Sequence, residues 1–80
     1  MTQKQKLIDT FLRNPATLKY KQLFFVLEHF GFAMIQAKSS HIKFKHPKLL
    51  SDLIIPVHNG ECKDFYKKEA LKRVLEIQNK

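Results

Sequence analysis

Lys38-Ser39-Ser40-His41-Ile42-Lys43-Phe44-Lys45-His46-Pro47-Lys48 opens on a polar turn and runs into a strict alternation. Successive side chains of a strand leave on opposite faces, so Ile42 and Phe44 share one face and His41, Lys43 and Lys45 the other. The first face is core surface. On the second, an imidazole and two ammonium groups stand about 7 Å apart from one to the next, at about 3.3 Å per residue. The stretch from Lys38 to Lys48 holds four lysines and no acid. Its polar face therefore suits an anionic substrate, with a titratable acid or base beside it.

A strand of this kind needs neighbours, and the flanking sequence supplies them. Phe32 to Lys38 reads as a preceding strand, joined through Ser39-Ser40 as a two-residue hairpin. Pro47 closes the central strand, and Asp52 to Val57 reads as a third. Pro56 lacks the amide donor that a central ladder requires, which makes this third strand an edge or stops it near Ile55. Asn59-Gly60 is a turn. A last helix starts from Asp64 as N-cap and runs to about Gln78, with Phe65, Ala70, Leu71, Val74 and Ile77 on its inner side.

Toward the N-terminus, Thr2 to Arg13 is helical, with a narrow stripe of Leu7, Ile8, Phe11 and Leu12. Asn14-Pro15 ends it, because Pro disfavours helix in the residue before it and cannot continue the ladder. Thr17 to Tyr20 reads as a linker. A second helix spans about Tyr20 to Phe30, and Gly31 stands where a left-handed C-terminal cap belongs. Leu23, Phe24, Val26, Leu27 and Phe30, with Phe25 added, predict cover on more than one side, by the sheet and by the first helix; the alternative is that Phe24 or Phe25 stays exposed for a protein partner. The order helix, helix, three strands, helix defines a small α+β domain with helices on one sheet face.

Composition sets the partners. The 80 residues carry a net charge of +8, and lysine supplies 13 of the 15 basic residues. Such an excess opposes compactness and favours polyanions: RNA, DNA, an anionic membrane or an acidic protein. Hydrophobic residues are 44% of the chain, enough for a folded core and too many for a disordered tail. The single Cys62 forms no internal disulfide, which points to a reducing cytoplasm. No stretch reads as a membrane span or a signal peptide, so a soluble cytoplasmic protein is expected.

In order and spacing, three segments resemble the HicA family of toxin–antitoxin ribonucleases: Leu27-Glu28-His29-Phe30-Gly31-Phe32, Ser39-Ser40-His41-Ile42-Lys43-Phe44-Lys45-His46-Pro47 and Ile55-Pro56-Val57-His58. Glu61-Cys62-Lys63-Asp64-Phe65-Tyr66 resembles the Glu-x-Lys segment that leads into the family's last helix. The likeness covers about residues 20–77. It implies an αβββα double-stranded-RNA-binding-like core over residues 20–80, within a single domain of residues 1–80. Residues 1–19 would be an N-terminal helical extension and linker. It further implies mRNA as substrate, an acidic HicB-like antitoxin as partner, and His41 at the catalytic position. The chain has Ser39 where the family's turn usually has Gly, and Ile42 where a second His often stands.

The residues carry a chemical reading of their own. RNA brings its own nucleophile, the 2′-OH, so cleavage needs proton transfer and charge stabilisation and no protein nucleophile. A His with an ordinary titration range serves as acid or base near neutral pH. Ser40 is placed to orient the His41 ring or bind a phosphate oxygen. Lys38, Lys43 and Lys45 are placed to hold RNA and offset the charge that builds on phosphorus. Without the resemblance, His41 is a solvent-exposed strand residue and the lysines a solvated sheet face. His29 and His46 read as structural. His58 is placed either to contact RNA or to cap the last helix, and Tyr66 either to pack or to stack on a base. The histidines lack zinc-site spacing and no Cys pair supports them, so neither a metal nor another cofactor is expected. Two functions follow: a metal-independent mRNA endoribonuclease toxin, or a non-catalytic RNA-binding module using the same face.

Overall fold

The structure, a computed structural model, describes residues 3–36 and 41–79. Helices α1 (Gln3–Arg13) and α2 (Tyr20–His29) precede strands β1 (Ala33–Gln36), β2 (His41–Lys45) and β3 (Leu53–Pro56), and helix α3 (Asp64–Gln78) follows. The strands form one antiparallel sheet in the order β1-β2-β3. The chain is α+β: three α-helices and an open three-stranded sheet among the described residues. None of these helices is long and apolar enough to cross a membrane.

Helix α2 stops where Gly31 predicts. Gly31 has φ +96, its N–H donates to Glu28 O, and the Phe32 N–H donates to Leu27 O. These are the two bonds of a Schellman cap. The reversal turns Phe32 into the core, 4% exposed, so β1 starts one residue later than the expected Phe32. Lys38 and the Ser39-Ser40 turn lie outside the described residues.

Strand pairing departs from expectation by one residue. A two-residue turn at Ser39-Ser40 requires Ile35 opposite Phe44, whereas Met34 stands there and Ile35 faces Lys43. Strand register is specified only where one face is buried, and β1 is exposed along its whole length. Ala33, Met34 and Ile35 are all apolar, so hydrophobic pattern does not distinguish the two registers. Strand β3 behaves as its proline requires, forming the opposite edge and ending at Pro56.

Phe44 sits at the centre of the core. It is fully buried, with Phe24 5.0 Å and Phe32 6.4 Å away between ring centroids. Leu53 and Ile55 flank it from β3; Leu23, Val26 and Leu27 come from α2, Ala70, Val74 and Ile77 from α3, and Ile8 and Phe11 from α1. The expected linker is part of this core. Pro15–Thr17 forms a 3-10 turn, Pro15 and Leu18 are buried, and the Lys67 Nζ of α3 donates to Ala16 O at 3.3 Å.

Three residues assigned inward by helical spacing face out: Leu12, Phe25 and Phe65, the last 67% exposed. Sheet and α1 cover only the Leu23–Val26–Leu27 side of α2, which leaves Phe25 uncovered. Phe65 stands in the first turn of α3, whose buried residues begin only at Ala70. The N-cap of α3 is Lys63 rather than Asp64. Asp64 instead occupies the first helical position, where its carboxylate meets the positive end of the helix dipole.

Cys62 is buried, and desolvation pushes its thiol above the ordinary range against the opposing pull of Lys67. The group is therefore protonated at neutral pH and shielded from reagents. Native protein at pH 7 should react with a disulfide-forming thiol reagent at least tenfold more slowly than protein unfolded in guanidinium. Equal rates would show that the pocket around Cys62 is open.

Candidate nucleic-acid interface

Residues directly opposite in an antiparallel pair share a sheet face. The register thus groups Ile35, Lys43 and Ile54 in one row, Ala33 with Lys45 in the next, and His41 with Pro56 in a third. Phe44, Leu53 and Ile55 on the other face are buried by the helices. On this one, His41, Lys45, Ile35 and Ile54 are exposed. The alternation His41-Lys43-Lys45 thus lies on the helix-free side of the sheet.

The three cationic positions differ in their surroundings. Lys43 Nζ lies 3.8 Å from Asp52 Oδ2, each side chain about one-third exposed. An ion pair so solvated adds little stability, but it leaves part of the Lys43 charge already answered. Among the described residues, no hydrogen bond or ion pair holds the side chain of Lys45 or His41. Ile35 and Ile54, 44% and 47% exposed, flank the Lys43 stem on either side. Nothing in the local pattern singles out Ile54. Leu53-Ile54-Ile55 is apolar throughout, and a continuous run does not say which member faces out.

Beyond Pro56 the chain turns back sharply. Asn59 and Gly60 have φ of 53 and 74, the two positive values of a type I′ turn, for which Asn-Gly is the preferred pair. His58 and Glu61 exchange both backbone bonds across it, at 2.8 and 2.9 Å. His58 is exposed and lines an open groove of about 510 Å³ with Pro56, Lys63 and Tyr66. It does not cap α3, whose N-terminus has no side-chain cap bond. Tyr66 is half-buried, its ring edge-on to Phe65 at 5.1 Å.

The other histidines are accounted for locally. His46 Nδ1 accepts the Lys48 N–H at 3.1 Å, so Nε2 carries the proton and donates to Phe30 O, also at 3.1 Å. This neutral ring ties the end of β2 to the end of α2. His29 is exposed and lies edge-on to Phe30 at 5.2 Å. Lys38 and Ser40 lie outside the described residues. On α3, Lys67 is committed to Ala16 and Asp64, and Arg73 to Glu69 and Glu76. That leaves Lys68 and Lys72 as the exposed cations of its described length.

Comparison of the chain with protein families, curated proteins and solved structures found no match.

Proposed function

We propose that this protein is a metal-independent endoribonuclease acting on mRNA, the toxin of a toxin–antitoxin pair of the HicA type. One observation carries the reading: His41, Lys43 and Lys45 stand in a row on the helix-free face of the sheet. A strand of RNA laid along that face meets positive charge and an exposed imidazole together. The order α2-β1-β2-β3-α3 is the αβββα order of the double-stranded-RNA-binding-like fold, and we read the core as that fold with α1 as an N-terminal addition. His41 moves the proton of the 2′-OH or of the leaving 5′-oxygen. Lys45 and Lys43 hold phosphates, and Lys38 and Ser40 complete the contact. The cytoplasm, where mRNA is found, is the setting this requires, and neither metal nor cofactor takes part.

Purified protein should cut RNA in the presence of EDTA and leave a 2′,3′-cyclic phosphate. Activity lost on chelation and restored by a divalent ion would rule the mechanism out. Binding should respond unequally to the two lysines. Lys45→Ala removes an unanswered charge and should weaken RNA binding several-fold, with a salt slope shallower by about one. Lys43→Ala should cost less, and Asp52→Asn should tighten binding. Filter binding across a salt series measures all three, and a larger effect at Lys43 than at Lys45 would contradict this order.

An acidic HicB-like antitoxin would cover the same face, answering the lysines and enclosing Ile35 and Ile54. A second reading, a non-catalytic RNA-binding module, is favoured by one feature: among the described residues nothing orients the His41 ring. It predicts RNA binding without cleavage.

A further inference from the structure

A single imidazole serves one of the two proton transfers in RNA transesterification, and β2 offers only His41. We infer that His58 is the second proton-transfer group, standing beside His41 across Pro56, with Glu61 orienting it. The inference rests on the ribonuclease reading above.

The sheet register and the chain path bring the two histidines near each other. His41 is directly opposite Pro56, and His58 lies two residues farther along the same chain. Two residues of chain span at most about 7 Å, so His58 lies within that reach of Pro56, the residue opposite His41. His58 also lines a groove with Pro56, Lys63 and Tyr66. Both imidazoles are exposed, so a phosphodiester has access to the space between them.

The turn beyond His58 fixes the backbone that carries the second ring. With Asn59 and Gly60 both at positive φ, the tight reversal pairs His58 with Glu61, and the two share a face of that short ribbon. Their Cα atoms are about 5.5 Å apart in such a hydrogen-bonded pair. At that spacing the carboxylate has the reach to accept one ring N–H of His58 and point the other nitrogen outward, although the two side chains are not bonded in this structure. This is the orienting role that a carboxylate commonly plays beside a catalytic imidazole.

The chemistry balances without a co-reactant. One imidazole takes the 2′-OH proton as the 2′-oxygen bonds to phosphorus. The bond from phosphorus to the 5′-oxygen breaks, and the other group, an imidazolium, donates its proton to that oxygen. A 2′,3′-cyclic phosphate and a 5′-hydroxyl result, and the two rings have exchanged protonation states. Solvent proton exchange resets them. The charged and titratable groups that line the groove with His58 are Glu61 across the turn and Cys62, Lys63, Asp64 and Tyr66 leading into α3, while His41 stands on β2 opposite Pro56.

The test is the pH–rate profile of cleavage for the wild type, His58→Ala, His41→Ala and Glu61→Gln. The wild type should give a bell. His58→Ala should lose one limb and slow the reaction about 10²-fold or more, and His41→Ala should lose the other limb. Glu61→Gln should move only the limb that His58→Ala abolishes. A substrate with sulfur in place of the leaving 5′-oxygen needs no acid, and should rescue one His variant and not the other. His58 is exposed, so its variants should fold, and circular dichroism checks this. Wild-type cleavage with a folded His58→Ala that keeps both rate and bell overturns the inference and leaves the ribonuclease reading standing. Wild-type protein that cuts no RNA overturns both.

Discussion

His41→Ala should slow RNA cleavage roughly 10²–10⁴-fold, the usual contribution of a positioned acid or base, while stability changes by less than about 0.5 kcal/mol. The two halves of this expectation have separate grounds. His41 is exposed at the start of β2, opposite Pro56, and no described side chain bonds to its ring. Its removal leaves no cavity and no orphaned buried partner, so the fold has little reason to respond. RNA binding should persist, since phosphate contacts come from the neighbouring lysines and scale with their number. Growth arrest on expression and cleavage in vitro with EDTA measure the activity, and thermal melting measures the fold. A folded His41→Ala protein that cuts RNA at the wild-type rate would remove His41 from the mechanism.

Much of the architecture could be read from local chemistry. The alternation in β2 identified Phe44 as core and His41, Lys43 and Lys45 as solvent-facing. Gly31 marked the end of α2 because a reversal there needs positive φ. Asn59-Gly60 announced a turn for the same reason. The misreadings share a different cause. The register of β1, the burial of Leu18 and the exposure of Phe25 and Phe65 depend on what packs against them, which no single segment encodes. Helical spacing gave Phe65 an inward position, but it stands in the first turn of α3, ahead of the helix's first buried residue. On the candidate interface, the row of charge was visible and the ion pair that divides Lys43 from Lys45 was not. Asp52 lies nine residues from Lys43 along the chain, and only the β2–β3 connection brings their charges within 4 Å.

Phe44→Ala should cost about 3–5 kcal/mol, the range for emptying a buried aromatic site. The ring is fully buried and meets Phe24 from α2 and Phe32 from the α2–β1 junction, with Leu53 opposite it on β3 and Met34 on β1. It therefore joins the middle of the sheet to the helical layer, and neighbours anchored in separate elements have little freedom to close the void. Domains as a class have only about 5–15 kcal/mol to lose, and one this small belongs near the bottom of that range. Much of the variant should accordingly be unfolded at 37 °C. Phe65→Ala deletes the same side chain from an exposed position and should change stability by about 0.5 kcal/mol or less. Urea denaturation of both variants against wild type gives the comparison, with equal slopes confirming a common unfolded state. A loss under about 1 kcal/mol at Phe44 would mean that β2 presents its other face to the helices. His41, Lys43 and Lys45 would then lie beneath them, and the proposed interface would have to be abandoned with the core.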